Sequence, residues 1–87
     1  MSDEARQDYV VGLVQQINDV LNGEEGAEAA TALTIAVACH IVSISTGSEE
    51  RLANAHGFAK HLHGFVTRAD IVEWIKAHTH YTPGGRA

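Results

Sequence analysis

The sequence predicts an all-α fold, a single-domain bundle of about four helices with short connections that associates with itself. Three observations predict it. Apolar residues recur at helical spacing through four successive segments, capping residues and acidic clusters mark where each begins, and no run alternates polar and apolar as a half-buried strand would.

The first helix starts at Ser2, a hydroxyl suited to cap the free N–H groups of the first turn, followed by Asp3 and Glu4, whose charge the helix dipole favours. Val10, Leu13, Val14, Ile17, Val20 and Leu21 then form a stripe, and Asn22-Gly23 closes the helix. The second helix, from about Ala27 to Ser45, is the most apolar. Leu33, Val37, Ile41 and Ile44 share one of its faces, and Ile35, Ala38 and Val42 cover the opposite one. A helix apolar on both sides is expected to be covered on both sides. Its core, Ala29 to Ile44, is interrupted by Thr31, Thr34, His40 and Ser43 and is short for a membrane span, so it reads as a buried helix. The fourth helix is expected on the face of Ile35, Ala38 and Val42 in any chain that encloses this helix alone.

Gly47 ends the second helix and Ser48-Glu49-Glu50 starts the third, whose stripe is Leu52, Ala55, Phe58, Ala59, Leu62, Phe65 and Val66; Gly57 is its weak point, and the sequence leaves open whether the helix splits there. Thr67-Arg68-Ala69-Asp70 reads as a capping box for a fourth helix that turns Ile71, Trp74, Ile75 and His78 inward. Residues 1–81 are thus the helical domain, and 82–87 are expected to form a flexible C-terminal tail.

At 87 residues the chain has room for one core. Hydrophobic residues make up 45% of it, yet alanine supplies much of that fraction and only five residues are aromatic, so the core is thin and gains from burial against a partner chain. The net charge of −5 and the scattered Arg6, Arg51, Lys60, Arg68, Lys76 and Arg86 give no basic stripe for phosphates, which argues against direct nucleic-acid binding. No leader or membrane segment is expected, and the single Cys39 fits a reducing, cytoplasmic setting.

The most chemical-looking stretch is His56 to Phe65, HGFAKHLHGF, which repeats His-Gly-Phe. Two ligands of one metal ion on a helix must stand one turn apart. His56 and His63 are seven residues apart, or about 10 Å along the axis, and no other His–His or His–carboxylate pair has one-turn spacing. His61 with His63, or His78 with His80, would chelate only from an extended segment or with help from another helix. The repeat therefore reads as a heptad, with Phe58 and Phe65 on one edge of the stripe and His56 and His63 on the other. The same rule leaves Cys39 and His40 pointing about 100° apart, too far to form a dyad unaided. The acids stand at helix starts, and there is no phosphate loop or dinucleotide fingerprint, so neither an enzyme nor a cofactor or metal site is expected.

What remains is a small acidic protein-interaction or regulatory module, a homodimer that also binds another protein through its helix faces, without membrane or direct nucleic-acid contact. The candidate homodimer interface is Ile35, Ala38 and Val42 on the second helix with the small-residue line Ala53, Gly57 and Gly64 on the third, where the backbone of a second copy can approach closely and Gly57→Leu would weaken association. Two alternatives stand beside it. One is a histidine-dependent metal-binding or pH-responsive protein using His40, His56 and His63, since full protonation of the six histidines would carry the net charge from −5 to about +1. The other is an acidic inhibitor occupying a partner's nucleic-acid-binding site.

Overall fold

The computed structural model describes residues 2–79, 81, 82 and 84. Four helices, α1 (Asp3–Leu21), α2 (Gly26–Ile44), α3 (Ser48–Thr67) and α4 (Ala69–His78), account for nearly all of them, and the chain is an all-α bundle. Their ends obey local chemistry. Ser2 caps α1 by accepting the Ala5 N–H at 3.1 Å, and Asn22 closes it with its own N–H on the Asn18 carbonyl at 2.8 Å. Gly23 follows at φ 86°, a backbone state that costs an L side chain energy and that glycine adopts freely. Acids occupy the first turn of every helix: Asp3 and Glu4, Glu28, Glu49 and Glu50, and Asp70.

One point that the sequence left open is decided and one local expectation is corrected. Gly57 does not break α3, which runs unbroken through it because the helix needs no side chain there to hold its backbone ladder. Thr67 does not cap α4, because it is the last residue of α3 and its hydroxyl donates back to the His63 carbonyl at 2.7 Å. Arg68 alone forms the corner, its guanidinium 3.0 Å from the Asp70 carboxylate. Both groups are largely exposed, so this pair adds little stability.

The larger correction concerns α2. Helix packing is closest between α3 and α4 and between α2 and α3, and α1 makes no comparable contact with any helix. Among the described residues only Leu21 and Ala29 are buried, at 9% and 3% exposure, at the end of α1 and the start of α2. Ile35 and Val42, on the face that a fourth helix would cover only in a chain enclosing α2 alone, are each 58% exposed, and α4 packs on α3. On the other face Val37 and Ile41 are half-buried while Leu33 and Ile44 stay exposed. The chain therefore leaves uncovered the helix that its sequence marks for burial on both sides. As a free-standing helix, α2 is long and apolar enough to cross a membrane.

The radius of gyration is 14.7 Å, against about 12 Å for a close-packed domain of this length. The expected tail begins at Thr82, and the two described residues in it are tied down. Thr82 donates its N–H to the Asn22 side chain at 2.8 Å and accepts the Gly23 N–H at 3.1 Å, and the Gly84 N–H reaches the Glu24 carbonyl at 2.7 Å. A Cβ at Gly84 would collide with the Gly23 backbone, so this approach needs glycine. Residues 83 and 85–87 lie outside the described residues.

Candidate functional site

The candidate site is a set of uncovered helix faces. Along α1, Val11, Val14 and Asn18 are half-buried on one flank, whereas Tyr9, Val10, Leu13, Ile17 and Val20 are exposed. An apolar stripe at helical spacing normally faces a core. Here most of that stripe faces outward, with Val20 at 77% exposure. Between α1 and α2 lies a cleft of about 220 Å³ lined by Ile17, Val20, Leu21, Ala32, Leu33 and Ala36, an almost wholly apolar set. It opens from the apex where Leu21 and Ala29 are buried.

The polar residues of α2 do not interrupt this apolar surface. The hydroxyls of Thr31, Thr34 and Ser43 donate to the carbonyls one turn back, Ala27, Ala30 and Cys39, at 2.9, 2.8 and 2.8 Å. A hydroxyl bonded to its own helix has little left to ask of water, so these positions tolerate burial against another surface. Ser45 is used differently: it donates to the Ile41 carbonyl at 2.5 Å and accepts from the Asn54 amide at 2.9 Å, which pins the start of α3 to the end of α2.

The sequence-derived interface residues are placed as follows. Ile35, Ala38, Val42, Ala53 and Gly57 are exposed and Gly64 is half-buried. Nothing in the chain lies within 4 Å of where a Cβ would stand at Gly57 or Gly64, so no backbone of the same chain uses the close approach those glycines permit. His40, His56 and His63 are exposed on α2 and α3. Among the described residues no group of three His, Cys, Asp or Glu side chains is placed to hold a metal ion. Cys39 is a free, exposed thiol. His78 stacks on Trp74 with ring centres 4.4 Å apart, and its Nδ1 lies 2.8 Å from the Trp74 carbonyl, so it caps the end of α4 and is exposed, not turned inward.

A second recess, lined by Thr46, Gly47, Ser48, Glu49, Glu50 and Ala53, sits at the start of α3, where the Thr46 hydroxyl donates to the Glu50 carboxylate at 3.0 Å. That bond joins two exposed side chains four residues apart. Sequence reasoning missed the α1 stripe and the cleft as a surface, since it read Leu13 and Ile17 only as part of a helical stripe and Leu33 as part of a face to be covered. The signal available was the thin core itself, which cannot absorb four amphipathic helices. No protein family, curated protein or solved structure matches the chain.

Proposed function

We propose that this protein is a small acidic interaction or regulatory module that works as a homodimer and presents its remaining helix faces to another protein, in the cytoplasm and without catalysis. The observation that carries the reading is uncovered apolar surface. The chain exposes 6932 Å², whereas a close-packed protein of 9.3 kDa exposes about 5,000 Å². The excess of about 2,000 Å² per chain, or on the order of 4,000 Å² for two chains, falls in the size class of obligate homodimer interfaces. Among the described residues fourteen large hydrophobic side chains are exposed, and they belong to α1, α2 and α3 alike.

That distribution favours a protein partner over a bilayer. A membrane span by α2 would leave Leu13 and Ile17 of α1 and Phe58 and Phe65 of α3 uncovered, and Glu24 and Glu25 before the helix, Glu28 in its first turn, and Glu49 and Glu50 after it supply no basic flank for lipid headgroups. Once two chains have joined, Ile35, Ala38 and Val42 with Ala53, Gly57 and Gly64 are the faces offered to the other protein. Light scattering coupled to size exclusion tests the reading: the expected mass is twice 9.3 kDa. A single-chain mass that persists at concentrations of about 100 μM, far above the dissociation constants of stable dimers, would overturn it.

A further inference from the structure

We infer that the cleft between α1 and α2 is the docking site for α1 of a second copy, so that two chains clasp each other reciprocally about a two-fold axis. The inference rests on the homodimer reading and assigns its contact. Three features converge on α1. It is the helix with the least intrachain packing, its stripe of Tyr9, Leu13, Ile17 and Val20 is exposed, and its C-terminal third forms one wall of the cleft. Each chain thus carries both an uncovered helix and an apolar cleft, the condition for an isologous contact in which the same patch is used twice and the assembly closes.

The register follows from symmetry. Leu13 lies near the middle of α1, so two antiparallel copies crossing there bring Leu13 against its equivalent and set Val10 of one chain against Ile17 of the other. The partner's Tyr9 then falls near Ile17 and Val20, at the cleft. An aromatic ring entering an apolar recess is the usual anchor of a protein interface, and 220 Å³ accommodates it. The α2 wall assists because Ala32 and Ala36 are small and let a helix come close.

A two-fold axis through Leu13 makes one cysteine sufficient to test the contact. In a Cys39→Ser background, Leu13→Cys is expected to give a disulfide-linked dimer under mild oxidation, while Leu62→Cys, on the exposed stripe of α3, stays unlinked. Tyr9→Ala changes a residue that is exposed in the single chain, so it is expected to keep the helical circular dichroism and to weaken dimerisation by about 30-fold or more. A dimer that links through Leu62→Cys but not Leu13→Cys, with Tyr9→Ala dimerising as wild type, overturns the cleft assignment and leaves the homodimer standing. A monomer that never links overturns both. So does a chain that floats with phosphatidylcholine vesicles in place of dimerising.

Discussion

The two ends of this chain use similar parts and reach opposite results. In the C-terminal half, α3 and α4 are separated by Arg68 alone and pack together, with Ile71, Val72, Trp74 and Ile75 half-buried. In the N-terminal half, α1 and α2 are two 19-residue helices separated by four residues, without comparable packing between them, and the two buried residues, Leu21 and Ala29, stand near their connection. The difference lies in what the facing surfaces reach with. The surface that α2 turns toward α1 is Ala29, Ala32 and Ala36 with Leu33, so alanines must bring two backbones close before they bury anything. In the C-terminal half the half-buried side chains are larger, Ile71, Val72, Trp74 and Ile75. Short connections set which helices are neighbours, and side-chain reach sets whether neighbours adhere.

Ile17→Asp should break the comparison most severely. It removes burial worth about 1.5–3 kcal/mol in the assembled state and adds the cost of dehydrating a carboxylate. Light scattering should report a monomer, while the α3 and α4 half keeps its near-ultraviolet signal from Trp74. An unchanged dimer with an unchanged melting temperature would mean that α1 is as solvated in solution as it is in one chain.

Trp74→Ala should act on the other half and on folding instead of assembly. Full truncation of a core Trp costs about 3–5 kcal/mol, and half-burial reduces this to roughly 2 kcal/mol, including the lost stack on His78. Denaturant unfolding should show that loss at constant protein concentration, and the mass of the assembly should not change. If the variant also dissociates, α4 belongs to the dimer contact and the two halves are not independent.

Gly57→Leu sharpens the account of α3. Nothing in the chain lies near that position, so the substitution should stabilise the helix by roughly 1 kcal/mol through propensity and leave dimerisation intact, while blocking the face offered to another protein. A variant that melts higher but becomes monomeric would move the self-contact from α1 to the small-residue line of α3.

Ser2→Ala carries the smallest expected effect, about 0.5–1 kcal/mol from the lost bond to the Ala5 N–H. In a dimer built on α1 the loss should depend on protein concentration, because the cap then supports an interface helix. A loss that is the same at every concentration would place the end of α1 outside the contact.

The sequence by itself determined the parts that depend on neighbours along the chain. The cap at Ser2, the closure at Asn22-Gly23, the acids in each first turn and four helices with nearly the expected bounds all follow from backbone hydrogen bonding and φ preferences within a few residues. The face of Ile35, Ala38 and Val42 was legible as apolar for the same reason. That face was also read as a candidate interface, and its residues are exposed; the exposure of the α1 stripe was not legible, because periodicity says that a face is apolar and is silent on what covers it. Only the tertiary structure decided that α4 lies on α3 and not on α2, that α1 splays from a surface of alanines, and that Thr82 and Gly84 return to the α1 to α2 turn. Those outcomes rest on distances between residues far apart in the chain, where the reach of a few large side chains against many small ones sets which contacts close.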